Sequence, residues 1–136
     1  MIEYKDTIPD IDTYFILFES TGWNKEYGLS KEELYCSLLK SYYCVSAFEK
    51  NKFVGFGRIL SDGILHAMIY EMIVYPGSQG KGIGKEILNR LISKCRENNI
   101  RDIQLFCSKG KRGFYEKFGF NARPEDSPGM EFKKQK

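Results

Sequence analysis

The residues best arranged for chemistry lie in YEMIVYPGSQGKGIG, from Tyr70 to Gly84. The stretch reads as a strand, a proline-marked turn, and a glycine-rich loop opening onto an amphipathic helix. Such a junction gathers unpaired backbone N–H groups and the positive end of a helix dipole around one point. That point suits a phosphate or pyrophosphate. A side chain at Gly80, Gly82 or Gly84 would hold the anion away from the main chain. Two common phosphate loops do not fit. A dinucleotide fingerprint needs G-x-G-x-x-G, whereas these three glycines fall at every second position. A P-loop needs a glycine five residues before Gly84-Lys85 and a Ser or Thr after it, where Gln79 and Glu86 stand. A tight strand-to-helix turn without a ligand is the plainer alternative.

The hexapeptide Gln79-Gly80-Lys81-Gly82-Ile83-Gly84 resembles the Q/R-x-x-G-x-G/A loop of the GNAT superfamily of N-acetyltransferases. Downstream, Phe114-Tyr115-Glu116-Lys117-Phe118-Gly119-Phe120 is similar to the F-Y-x-x-x-G-F signature of that family. The likeness spans roughly Lys52 to Phe120, with the two motifs in the family's order. It implies that the loop holds the pyrophosphate of acetyl-CoA, the acyl donor. It also implies that the strands ending at Val74 and Cys107 splay apart, so that the pantetheine arm pairs with free backbone groups near Ile73 and Val74. The coenzyme contacts implied in this way are Ile73, Val74, Gln79, Gly80, Lys81, Gly82, Ile83, Gly84, Lys85, Ser108 and Tyr115. The activity implied is direct acetyl transfer to a primary amine of a small molecule in a ternary complex.

Such a transfer needs an uncharged nitrogen, while an alkyl ammonium titrates near 10.4. At pH 7 the neutral form is disfavoured by about 4.6 kcal/mol, part of which a carboxylate or ordered water offsets as base. Glu71, on the central strand eight residues before Gln79, is the candidate; its alternative is a strand glutamate facing solvent or an arginine. His66, the one histidine, lies earlier on that strand as a second candidate base or substrate contact. The departing thiolate needs a proton or a hydrogen bond, and by the resemblance Tyr115 supplies it, unless it is a core tyrosine among Phe114, Phe118 and Phe120. A backbone N–H at Ile73 or its neighbour would stabilise the oxyanion. Cys107 would lie beside the cleft, but acetyl-CoA is already an activated acyl donor and needs no acetyl-cysteine.

These residues need a scaffold, and 136 residues suffice for one domain, 1–136, that can bury about two-thirds of its unfolded surface. The apolar share of 42% and aromatic share of 15% suit a packed globule needing neither disulfide nor metal. A net charge of +3, much of it at Lys109, Lys111, Arg112 and the tail Lys133, Lys134 and Lys136, lacks the dense basic face of a nucleic-acid binder. Cys36, Cys44, Cys95 and Cys107 form no C-x-x-C pair, so no metal site is expected; Cys36 and Cys95 read as core. Met1-Ile2-Glu3-Tyr4-Lys5 is strand-like rather than a signal peptide, and no apolar run would span a bilayer. The expected place is the cytoplasm, away from membranes.

Periodicity gives the order of elements. A strand at 2–5 precedes a helix opened by Pro9 and running to Glu19, closed by Gly22. Ser30 and Glu33 form a capping box for a second helix turning Leu34, Leu38 and Leu39 inward. Strands follow at 43–49, 53–60 and 64–74, then a helix from about Lys81 to Asn98 with Ile83, Ile87, Leu88, Leu91, Ile92 and Cys95 in one stripe. A strand at 101–107, a short helix at 110–118 stopped by Gly119, and edge strands over 120–132 broken by Pro124 and Pro128 complete the chain. The fold class is α/β (α+β). The GNAT likeness implies a mixed central sheet of six to seven strands, with about four helices on both faces.

The acceptor is less legible. The first two helices and their loop usually shape its pocket in this family. Here they carry Trp23, Tyr27 and Tyr35, with Tyr42 and Tyr43 beyond, aromatic walls that favour a flat or aliphatic amine. Gly22-Trp23 and Pro128-Gly129-Met130 resemble plant-type arylalkylamine (serotonin) acetyltransferases, while Glu19, Glu26, Asp62 and Asp126 suit a polyamine. Acetylation of a protein lysine or N-terminus, and a non-catalytic acyl-CoA-binding module, are the alternatives. A homodimer is compatible with the family likeness.

Overall fold

Alternation along the middle strands decides which residues face which helix. In the computed structural model, which describes residues 1–133, five strands form one sheet in the order β1-β2-β3-β4-β5. They are β1 (Ile2–Lys5), β2 (Tyr43–Glu49), β3 (Lys52–Ser61), β4 (His66–Val74) and β5 (Asp102–Leu105). All neighbours are antiparallel except β4 and β5, which are parallel and joined by the long helix α4 (Ile83–Glu97). Residues 1–105 form one compact unit and the residues from Phe106 onward a second; each is described by itself. Lys134 and Lys136 of the expected basic tail lie outside the described residues.

On β3, Gly55 and Gly57 turn toward α4 while Phe56 and Arg58 turn the other way. A methyl group on Gly57 would come within 2.8 Å of Ile87 Cγ2 and of Met72 Sδ; one on Gly55 would come within 2.9 Å of Ile83 Cγ2. The two glycines thus let α4 sink onto the sheet, burying Ile83, Ile87, Leu88, Leu91 and Cys95. That seating fixes where the helix begins. Against the opposite face lie α1 (Ile11–Glu19) and α3 (Lys31–Leu38). They bury Tyr14, Leu17, Phe18, Leu34 and Leu38 with Phe53, Phe56 and Ile73. Asp10 caps α1 through the Thr13 amide (3.0 Å), so the helix begins just after Pro9. The capping box at Ser30 and Glu33 starts α3 as the spacing predicts.

Several boundaries differ from expectation. The sheet has five strands among the described residues, not six to seven. Residues 120–133 form no strand, because two prolines remove ladder donors and the Ser127 amide closes a turn on the Pro124 carbonyl (2.9 Å). The described residues form five α-helices rather than about four. The unforeseen one is α2 (Asn24–Tyr27), a single turn closed by Gly28 in the left-handed region. Its first residue, Asn24, ties the loop together by hydrogen bonds to both backbone groups of Leu29. Strand β4 starts at His66, not Ile64, since Asp62 Oδ1 accepts from the amides of Ile64, Leu65 and His66. Cys36 and Leu39 are exposed, because Leu34 and Leu38 already occupy the one inward stripe of the short α3.

In the second unit, α5 (Arg112–Glu116) is followed by Gly119 at φ +93°, where the chain leaves the helix. Its aromatic rings pack on one another: Phe114 on Tyr115 (5.1 Å) and on Phe118 (5.4 Å), and Tyr115 on Phe120 (6.0 Å). No helix among the described residues is long and apolar enough to cross a membrane.

Candidate active site

After β4 the chain makes a 3₁₀ turn, Pro76–Ser78, and reaches the loop. Gly80 and Gly82 take φ of +81° and +78°, which glycine adopts without steric cost, and Gly82 caps α4. A methyl group on either would meet nothing within 4 Å, so the space beside both is open. Glu86 N donates to the Gly82 carbonyl (3.1 Å), beginning the helical ladder. Among the described loop and cap bonds none is donated by the amides of Gly80 to Lys85. The loop therefore presents a run of unspent N–H groups at the positive end of a 15-residue helix. Gln79 Nε2 donates to the Val74 carbonyl (3.2 Å), tying the loop back to the strand. Lys81 Nζ lies 3.0 Å from both carboxylate oxygens of Glu49, at the end of β2, and this partner lowers the Glu49 pKa.

Strand β5 stops at Leu105, opposite Ile69. From Tyr70 to Val74, β4 runs on without a described strand on that flank, while Ile73 pairs with Phe56 of β3 on the other side. The other flank is irregular. Phe56 pairs with Ile73 and Arg58 with Tyr70, which leaves Gly57 facing both Glu71 and Met72. Glu71 is the extra residue of this β-bulge, with φ +49°, an uncommon value for a residue with a side chain. Its Oε1 takes a hydrogen bond from Arg58 Nε at 2.5 Å, the arginine-facing alternative of the sequence reading.

Both partners are largely buried, Glu71 with 19% and Arg58 with 9% of its side chain exposed. Arg58 Nη1 also donates to the Ser37 carbonyl (3.1 Å) and to Ser41 Oγ (3.2 Å), at the end of α3. Tyr14, buried in the same layer, carries the one buried side-chain oxygen or nitrogen among the described residues that lacks a partner. Burial, and then the Glu71 charge, raise its pKa well above the ordinary phenol value.

The remaining candidates are distributed as follows. His66 is exposed at the start of β4, and its Nδ1 lies 3.1 Å from Asp102 on β5. Seven residues of extended chain, about 23 Å, separate it from Ile73. Cys107, Ser108 and Tyr115 belong to the second unit, where burial first and Cys107 second raise the Tyr115 pKa. Trp23 packs edge-on against Phe18 (5.9 Å). Tyr43 is covered by Lys94 of α4 (5.1 Å) and Tyr42 accepts from Asn98 just after that helix, so these two lie toward α4 and away from the first helices. The reading of the sequence overlooked Arg58 and Tyr14. Arg58 had a signal: it is the one charge in the run Phe53–Leu60 of a strand that is otherwise apolar or glycine.

Comparison with known proteins gives a consistent answer. The family described as "Acetyltransferase (GNAT) domain" matches residues 19–131. An uncharacterized N-acetyltransferase, ycf52, of Pyropia yezoensis is 34% identical over 95% of this chain and 78% of its own length. A histone acetyltransferase of Glycine max, TAP1, is 32% identical over 89% of this chain and 57% of its own length. Chloroplastic serotonin N-acetyltransferase 2 of rice (Oryza sativa subsp. japonica) is 33% identical over 58% and 40%. The fold recurs in a predicted acetyltransferase of Clostridium acetobutylicum solved with acetyl-CoA, at a TM-score of 0.73 and 24% identity over 98% of this chain and 96% of that one.

Proposed function

Since the chain belongs to the GNAT family of N-acetyltransferases and is an acyltransferase, we propose that it moves the acetyl group of acetyl-CoA to the primary amine of a small molecule. The observation that carries the donor half is the row of unspent amides from Gly80 to Lys85, following the flank of β4 that no described strand covers. A diphosphate matches those donors in charge and in number, and that flank at Ile73 and Val74 can pair with an amide-bearing arm.

In the reaction the neutral amine attacks the thioester carbonyl. A C–N bond forms, the C–S bond breaks, and the products are an amide and free CoA thiol. Glu71 takes the proton of the attacking nitrogen, directly or through one water. Its Oε1 is held by Arg58, and Oε2 has no hydrogen bond among the described residues. The Ile73 amide, or its neighbour's, steadies the carbonyl oxygen as it gains charge. Donation of a proton to the departing thiolate is the role that the family likeness gives Tyr115, a phenol that is protonated at neutral pH.

The small-amine reading draws support from the serotonin N-acetyltransferase of rice and from the partly buried aromatics Trp23 and Tyr35 beside the first helices. The histone acetyltransferase name of the soybean relative favours a second reading, a lysine of a protein. The cytoplasm is the proposed compartment. The discriminating experiment is release of CoA thiol from acetyl-CoA across arylalkylamines, polyamines and histone peptides. Turnover of an arylalkylamine or polyamine well above that of every peptide supports the reading, and turnover confined to peptides replaces it. In thermal unfolding, CoA at 100 times its dissociation constant should stabilise the protein by about 2.7 kcal/mol.

A further inference from the structure

The ion pair on the bulge invites a question that the transfer chemistry leaves open: what holds the base in place. Glu71 sits at φ +49° inside a strand, a conformation that persists only where its surroundings fix it. One guanidinium supplies that fixing from two sides. Its Nε binds the carboxylate, and its Nη1 binds the Ser37 carbonyl in the last turn of α3 and the Ser41 hydroxyl in the link that follows. Carbonyls at a helix C-terminus carry partial negative charge, and the Ser37 carbonyl, which also accepts from Lys40 N (3.2 Å), matches the cation there. Lysine could not do this, since a single ammonium lacks the planar fork that reaches two separated acceptors.

We propose that Arg58 is a positioning residue for acetyl transfer, clamping the bulged Glu71 to the end of α3 so that one carboxylate oxygen is immobilised and the other is presented to the acceptor. The inference rests on Glu71 acting as the base. The other titratable groups around the pair are Tyr14 of α1, which feels both charges, and Cys44 of β2, which feels Arg58; α3 adds only a carbonyl and a hydroxyl. Arg58 is thus the one cation in the group, and its loss leaves the Glu71 carboxylate without its hydrogen-bond donor.

The test compares Arg58→Met, Arg58→Lys, Glu71→Gln and the double variant Arg58→Met/Glu71→Gln, each with the best amine from the panel. For Arg58→Met we expect kcat to fall by about 100-fold with the acetyl-CoA KM within about twofold. The acid limb of kcat/KM should move to higher pH, because the base then works without a neighbouring cation. Arg58→Lys should shift the limb in the same direction by less and recover part of kcat. The double variant should be no slower than Glu71→Gln alone, since the two residues act as a unit.

If Glu71→Gln abolishes turnover while Arg58→Met keeps both kcat and the acid limb, the clamp is wrong and the base reading survives. If Glu71→Gln turns over normally, the base reading falls and takes the clamp with it. Should Arg58→Met fail to fold, Arg58→Lys decides: an unmoved acid limb with native kcat overturns the proposal.

Discussion

Two regions of the first unit, joined by a single strand, are built on opposite principles. At the loop after β4 the groups proposed to hold the coenzyme are backbone amides, unspent and made available by glycines at positive φ. At the bulge on the same strand the groups are side chains, buried, charged, and held by other side chains. The loop is positioned by apolar packing, with α4 seated on Gly55 and Gly57. The bulge is positioned by an ion pair and helix-end hydrogen bonds. Backbone recognition needs little more than the right dihedrals, so it tolerates whichever apolar residues support it. Side-chain chemistry depends on a specific partner at each position.

Substitutions at the two regions should therefore separate in kinetics. Glu71→Gln has the largest expected effect, a loss of kcat of about 10²–10⁴-fold with little change in the acetyl-CoA KM. Gly82→Val should do the reverse. A β-branched residue in the left-handed region costs roughly 1–3 kcal/mol, and its side chain occupies the open space beside the amides. We expect the CoA dissociation constant to rise by at least tenfold in calorimetric titration, with kcat at saturation nearly kept. If Gly82→Val lowers kcat instead, the division between a binding loop and a chemical bulge is broken. The packing that seats the loop is tested by Gly57→Val, whose extra methyl groups collide with Ile87, Met72 and Leu91. Overpacking of this kind should cost about 3 kcal/mol in chemical denaturation. A loss well below that would mean that α4 can shift, and the loop with it.

The same contrast explains what could be read from the chain alone. The loop announced itself because glycine spacing, a preceding strand and a following amphipathic stripe are local signals within fifteen residues. The limits of β2 and the Ser30–Glu33 capping box emerged for the same reason. The bulge gave no such signal, since a register shift between β3 and β4 depends on two strands and on the helices packed against both. Glu71 could be chosen as a candidate base, but its arginine partner lies 13 residues earlier and across the sheet. Tyr14 falls on the buried face of α1, which accounts for its ring and is silent about its hydroxyl. Residues 120–132 misled in the opposite way, because scattered apolar residues between prolines resemble edge strands when turn bonds are ignored.

Alkaline titration gives a smaller but more specific test of the layer around the bulge. Burial pushes the Cys44 thiol from its ordinary 9.0 up to about 11, with the Asp6 charge adding to the effect. A group whose folded pKa is raised lends its full stability below the unfolded value and loses it as pH climbs through the folded one. The native state should thus weaken between about pH 9 and pH 11, by about 2–3 kcal/mol from this residue. Tyr14 and Cys95 titrate with the same sign, so the whole slope will be steeper. Cys44→Val should flatten the curve of unfolding free energy against pH by its own share. An unchanged slope would show that the thiol is solvated in the native state, and that the layer is wetter than its burial implies.

The smallest expected effect bears most directly on whether the bulge region is organised for stability or for chemistry. A buried hydroxyl without a partner costs about 1–3 kcal/mol, and Tyr14 has 1% of its surface exposed in a layer of rings and aliphatic side chains. Its ring already packs edge-on against Phe56 at 4.9 Å and would do so equally well as phenylalanine. Tyr14→Phe should therefore stabilise the protein by about 1 kcal/mol in denaturant unfolding. A region built only for packing would lose nothing else. A region in which the phenol faces the Glu71–Arg58 pair for chemical reasons should show a higher acceptor KM, or a lower kcat, in the stabilised variant. Destabilisation on removing the hydroxyl would mean that it is hydrogen-bonded in solution, and the contrast between the apolar seat of the loop and the polar seat of the bulge would have to be drawn one residue further into the core.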